Sequence, residues 1–313
     1  MSESPVPSLG TPLRPGREVR NHTLDSRRWN EYSFRGDDIV IATWAKTGTT
    51  WLQQILAQLV LAPAEPVALL ELSPWIEQRC FPLQPILARL ESQGHRRFVK
   101  THLPADALPM SPLARYIYVG RDGRDALWSW YNHHRQLTRE GLAFINAGAD
   151  RVGPPLGPAS TDVRQYFLAW LERNGFPLWP FWAHVQSWWD RRDRPNVLLA
   201  HFNRLKADTA AEIRRIARFL EMELDESRLP EILHRCSFDY MRTNASTLSP
   251  NLEGLFKGGA QAFVYKGTNG RWHDVLTADD LRRYQTAVRR NLSPDCARWL
   301  ATGDLPVGVS NPP

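Results

Sequence analysis

The chain has 313 residues, 42% hydrophobic and 23% charged, a balance that excludes a disordered protein and leaves room for one large α/β domain. No apolar run approaches the ~20 residues that a bilayer crossing needs. The net charge of +6 lies in scattered pairs such as Arg27-Arg28, Arg191-Arg192 and Arg289-Arg290, which read as solvated helix faces and not as the basic stripe of a nucleic-acid surface.

Residues 1–20, rich in Pro, Ser and Gly and without a signal pattern, read as a flexible leader. The domain is expected over 21–304 and a short tail over 305–313. The three cysteines, Cys80, Cys236 and Cys296, form no metal-ligand or CxxC spacing, so a reducing cytoplasmic setting is expected. Asp38–Thr43 is a β-branched apolar run of the kind a buried parallel strand needs. From Trp51, the spacing of Leu52, Ile55, Leu56, Leu59 and Val60 predicts a helix that Pro63 stops. Residues 63–95 predict loops and short helices, a setting for a substrate pocket.

Strands follow at 96–100 and 114–120, the second turning at Gly123 into a helix. The Pro/Gly loop at 148–160 is long enough for a lid. Helical patterns cover 162–173, 178–192 and 206–220, with a strand at 196–202 between the last two. Thr277 and Asp280 form a capping-box pattern, and Ser293-Pro294 opens a final helix. Strands alternating with helices predict a mostly parallel sheet covered on both faces, in a single α/β domain.

Four stretches carry chemistry. "TWAKTGTTW" puts Lys46, Thr47, Gly48, Thr49 and Thr50 between a strand and a helix, where hydroxyls and N–H groups can grip phosphate-like oxygens. Taken alone it is also an ordinary strand-to-helix turn. It lacks the Gly-Lys-Ser/Thr that cradles a triphosphate and holds Mg²⁺, so the pattern fits an anion without a metal. "FVKTHLP" sets Lys100 and His102 just past a strand end, where open α/β sheets bind ligands and where histidine can take a proton. His133, His134, His184 and His201 take the structural reading. "YIYVGRDGRDALWSW" pairs Arg121 with Ser129 on the following helix, a fork and a hydroxyl for one phosphate; the competing expectation is an ion pair of Arg121 with Asp122 or Asp125. "VYKGTNGRWHD" adds a basic glycine loop with Lys266, Gly267 and Arg271.

In order and rough spacing, "TWAKTGTTW", "KTHLP", "YVGRDGRDALWSWY" and "YKGTNGRW" resemble the cytosolic sulfotransferases, as do "HVQSWWDRRDRPNVLLAHFNRLKAD" and "CSFDYM" between the last two. The resemblance covers roughly 35–300. It implies a P-loop nucleotide-kinase-like fold and transfer of a sulfuryl group from 3′-phosphoadenosine 5′-phosphosulfate (PAPS) to a hydroxyl or amine of a small acceptor. Carried over, Lys46–Trp51 bind the 5′-phosphosulfate and Trp51 also lies against the adenine, with Phe238 and Phe202. Arg121, Ser129, Lys266 and Gly267 bind the 3′-phosphate. His102 is the implied general base, with Lys46, Lys100 and Ser129 as the other catalytic side chains and no metal.

The chain departs from the family at Thr47, where serine is usual, and at Tyr265, in the place of an arginine for which Arg271 can compensate. A dimer motif of many animal members is not recognisable around His273–Arg282, so no oligomeric state is implied. An apolar, aromatic-walled acceptor site is expected from Trp75, Phe81 and the loop near 144–160. The alternatives are a Mg²⁺-dependent P-loop kinase-like enzyme and a non-catalytic nucleotide-binding protein on the same fold. A binder needs no base, and the joint presence of Lys46 and His102 weighs against it.

Overall fold

A computed structural model describes residues 15–148 and 152–306. Strands β1 (Ile39–Thr43), β2 (Phe98–Thr101), β3 (Arg115–Gly120) and β4 (Val197–His201) form one four-stranded sheet in the order β2-β1-β3-β4, every neighbour pair parallel. Alternate residues of each strand feed opposite faces, as the pleat requires. Ile39, Ile41, Ile117, Val119 and Leu198 join the core under α1 (Thr49–Val60) and a helix at Thr209–Phe219. Val40, Ala42, Tyr116, Tyr118 and Leu199 join the other, larger core. That core is closed by α2 (Gly123–Gln136), α3 (Val163–Glu172), α4 (Phe181–Trp189) and, from the C-terminal part, α5 (Ala278–Asn291) and α6 (Pro294–Thr302). With all five β1 residues buried, each large aliphatic side chain there contributes about 1.5–3 kcal/mol. The expected doubly covered parallel sheet is what the chain forms.

The helix starts follow their caps. Asp162 accepts from the N–H groups of Arg164 and Gln165 to open α3, and the Thr277/Asp280 capping box opens α5. The helix expected over 206–220 is instead two, Phe202–Ala207 and Thr209–Phe219, because Asp208 leaves helical geometry and caps the second through Ala211 N–H. Of the leader expected over 1–20, residues 1–14 lie outside the described residues. The fold takes hold before residue 20, since Gly16 N–H donates to the Asp106 carbonyl (2.8 Å) and Arg17 pairs with the Asp106 carboxylate (2.7 Å). Of the expected tail, 307–313 lie outside the described residues. So do 149–151 of the expected lid. Its described remainder is tied down: Leu156 exchanges two 2.9 Å hydrogen bonds with the Asn146 amide, and the Gly157 carbonyl accepts from His134 Nε2 (2.7 Å). Among the described residues no helix is long and apolar enough to cross a membrane.

Candidate active site

The C-terminal ends of β1, β2 and β3 open on one cavity of about 670 Å³. Its lining includes Lys46, Gly48, Thr49, Thr50 and Trp51 from the first loop, Lys100 and His102 after β2, and Arg121 after β3. Ser129 of α2, Phe202, Phe238, Lys266 and Gly267 complete the set brought together there. Thr47 is the exception. Its hydroxyl turns away to within 2.9 Å of both the Trp44 and Val119 carbonyls, and the residue is 2% exposed. The expectation that this hydroxyl grips the donor is therefore corrected: the Thr47 side chain ties the loop to β3.

The first loop is bent where the backbone must turn from strand to helix. Lys46 is a non-glycine residue at φ 66°, a conformation that costs on the order of 1 kcal/mol. Arg121 holds it there by donating to the Lys46 carbonyl (3.0 Å). The same guanidinium donates to the Asn269 side chain (2.6 and 3.1 Å) and the Thr268 carbonyl (3.2 Å), so one arginine joins the first and last loops. It also lies over the Phe202 ring at 4.0 Å. The competing pairing with Asp122 or Asp125 does not form among the described residues. Asp122 instead binds Arg124 and caps α2, and Asp125 accepts from Gly270 N–H (2.7 Å). Gly267, at φ 62°, admits no side chain, because a Cβ there would meet the Phe238 ring at 2.9 Å.

Among the described residues the cations of the site have no carboxylate within ion-pair distance, although Glu77 acts on Lys100 and Asp125 on Arg121 from further off. Lys46, Lys100 and Arg121 make no ion pair among the described residues, and the Lys46 ammonium rests on the Phe263 ring at 3.9 Å. Burial, with the nearby Arg121 and Lys100, pulls the Lys46 pKa down to about 7. Burial likewise takes Lys100 to about 8. His102 is pushed down to about 3 by burial first and then by Lys100 and Lys46. Its Nδ1 lies 2.8 Å from the Thr43 carbonyl and 3.0 Å from the Thr43 hydroxyl, which also bonds Thr49 (2.7 Å). A carbonyl only accepts, so Nδ1 carries the ring proton and Nε2 a lone pair.

Sequence reasoning missed three contributors. Glu77 is fully buried and accepts from Trp29 Nε1 (2.8 Å), Trp75 Nε1 (2.6 Å), the Thr101 hydroxyl (3.0 Å) and His102 N–H (2.6 Å). It thereby fixes the strand end that carries Lys100 and His102. Burial lifts its carboxyl above the usual range. The second is the segment 249–264, which puts Leu252, Leu255, Phe256 and Phe263 on the cavity wall; its apolar residues sit amid turn-formers, a signal that was present in the sequence. The third is His133, which lines the cavity where a structural role was expected. Trp75 and Phe81, expected on the acceptor side, line it, and so do Phe144 and Leu156 from the loop expected there near 144–160.

The chain matches the sulfotransferase domain over residues 36–294. It is 30% identical over 307 residues to a glycolipid sulfotransferase of Mycobacterium bovis, with 91% of this chain and 94% of that protein covered. It is 27% identical over 298 residues to sulfotransferase 1C2 of Homo sapiens, with 90% of each covered. Among solved structures, a mouse sulfotransferase complexed with PAP shares the fold, with a TM-score of 0.67 at 21% identity and coverage of 87% and 90%. A retinol dehydratase does so with a TM-score of 0.68 at 21% identity, covering 86% and 84%. The sheet, the cavity at its C-terminal edge and these likenesses converge, and the chain belongs to the sulfotransferase domain family and is a sulfotransferase enzyme.

Proposed function

We propose that the chain moves the sulfuryl group of PAPS onto a hydroxyl, or an amine, of a small acceptor with an apolar body, with His102 as general base. The observation that carries this reading is the tautomer of His102: Thr43 holds the proton on Nδ1 and leaves the Nε2 lone pair in a cavity shared with Lys46, Lys100 and Arg121. As the acceptor oxygen attacks sulfur, its proton passes to Nε2. The bond from sulfur to the bridging oxygen breaks, the electron pair leaves on that oxygen, and the Lys46 ammonium offsets its charge. Fixed lysines do here what Mg²⁺ does in a phosphoryl-transfer enzyme.

Arg121, Ser129, Lys266 and the Gly267 backbone hold the 3′-phosphate in this scheme, with Arg271 and Lys206 as further cations on the same wall. Trp51, Phe202 and Phe238 take the adenine. The part of the His102 depression due to Lys100 and Lys46 is relieved by an anionic donor, so the base strengthens when the donor is in place. The aromatic wall and the word glycolipid in the names of the Mycobacterium relatives both support an amphiphilic acceptor.

The test is thermal. We expect 3′,5′-phosphoadenosine to raise the melting temperature without Mg²⁺, and ATP with Mg²⁺ to do much less. The reverse ranking would overturn this reading in favour of a kinase-like enzyme.

A further inference from the structure

We propose that His133 is a specificity-determining residue of the acceptor pocket, hydrogen-bonding a second hydroxyl on an acceptor whose first hydroxyl faces His102. This inference rests on the sulfotransferase reading of the site.

His134 binds the Tyr166 hydroxyl (2.9 Å) and the Gly157 carbonyl (2.7 Å). His201 binds the Leu300 carbonyl (3.0 Å) and Asn203 N–H (3.2 Å). His184 Nδ1 bonds the Tyr118 hydroxyl (3.2 Å), and although its Nε2 is buried without a partner, the residue does not line the cavity. These three keep the structural role expected of them. His133 makes no hydrogen bond among the described residues: its Nδ1 is shut off from solvent without a partner, which leaves Nε2 as the nitrogen a ligand can reach.

Its ring is held by aromatic contacts alone, stacked on Trp130 (5.0 Å) and edge-on to Phe256 (4.8 Å) and Phe263 (5.6 Å). A phenyl ring would satisfy those contacts without leaving a buried polar atom unmet, an omission that costs about 1–3 kcal/mol. Packing therefore gives no reason for an imidazole here; what the imidazole adds over a phenyl ring is Nε2, a hydrogen-bonding atom without a protein partner among the described residues, in a side chain that lines the cavity. Burial, then Lys46 and His134, hold its pKa well below the usual value, so it acts as a neutral donor or acceptor. That chemistry suits a hydroxyl and offers no charge to a carboxylate. Lys46, His133 and His102 all line the one cavity, and the charge of Lys46 acts on both imidazoles. The Gln78 amide, also on the cavity wall and without a side-chain hydrogen bond among the described residues, is a second neutral polar group. An apolar wall carrying unused neutral hydrogen-bonding groups fits an amphiphile with a polyol head better than a monohydroxylated aromatic.

The experiment compares octyl β-glucoside with 2-naphthol as acceptors for the wild type, His133→Phe and His133→Asn. We expect His133→Phe to lower kcat/KM for the glucoside by about 10- to 100-fold relative to 2-naphthol, chiefly through KM, and His133→Asn to recover part of it. A selectivity ratio in His133→Phe within about twofold of wild type overturns the inference. So does a wild-type enzyme that neither binds nor sulfates the glucoside. Calorimetric binding of the glucoside to protein saturated with 3′,5′-phosphoadenosine supplies a readout without turnover. Binding that depends on His133 in a protein that transfers no sulfuryl group would sink the functional reading and keep this one. Sulfation of both acceptors indifferent to His133 would do the opposite. An unchanged melting-temperature rise with 3′,5′-phosphoadenosine shows that a variant is folded, and if the Phe variant is not, His133→Leu carries the same comparison.

Discussion

At the N-terminal end of the sheet, Arg97 and Asp38 are both fully buried and answer each other through two bonds of 2.8 and 2.7 Å. Tyr32 donates to the same carboxylate (2.7 Å), and Arg97 also reaches the Ser33 carbonyl (2.8 Å). Burial alone would lower the Arg97 pKa, yet its bonds to Asp38 carry it above the usual value. At the C-terminal end, Lys46 and Lys100 are half-buried on the cavity wall, among the described residues no carboxylate is bonded to either, and burial drives their pKa values down to about 7 and 8. A satisfied buried charge is architecture, whereas cations left unpaired toward one cavity define a place for an anion.

The largest expected effect probes the C-terminal end. His102→Ala should lower kcat by about 10³-fold or more while the thermal shift with 3′,5′-phosphoadenosine survives. A fully active variant would remove His102 as the base. At the other end, Asp38→Ala leaves the buried Arg97 only the exposed Glu91 carboxylate (2.9 Å) and should cost about 3 kcal/mol of stability in denaturant unfolding. The donor KM should hold at a temperature where the variant is folded. If it moves tenfold, the two ends are not separate and the contrast fails. The smallest effect sharpens the contrast at Lys46. With a pKa of about 7 in the free protein, its ammonium is mostly neutral at pH 8, and an anionic ligand raises that value. Binding of 3′,5′-phosphoadenosine at pH 8 should therefore take up close to one proton, read as a buffer-dependent enthalpy, and distinctly less at pH 6. Uptake that persists in Lys46→Met assigns the proton elsewhere.

What the sequence reveals differs across the site for a physical reason. The donor side lies in contiguous stretches, because a strand, its turn and the next helix are neighbours in the chain and in space. The cavity gathers Lys46, His102, Arg121 and Ser129, expected together from the sequence for that reason; their roles belong to the proposed function. The facing of Thr47 was not legible, since a hydroxyl in a turn can face outward or bond back to the scaffold, and only the neighbouring β3 carbonyl settles which. The acceptor side is assembled from segments far apart in the chain, with Trp75, His133, Leu156 and Phe256 meeting through tertiary packing alone. Nothing in the "HH" of α2 tells that the second imidazole is fully bonded and the first is not. The break at Asp208 was missed because the apolar period runs on across it while the cap interrupts the backbone.

The contact of Lys46 with Phe263 ties these two sides together. One face of that ring meets the donor-side ammonium, and the ring belongs to the segment that walls the acceptor side. Any occupant that draws the ammonium toward phosphate oxygens alters what Phe263 presents across the cavity. On the proposed assignment of the two sides, the affinities for the two substrates are thus expected to be coupled. By thermodynamic reciprocity, whatever factor the first substrate imposes on the second is returned in full, so order of addition changes the path to the ternary complex but not its stability.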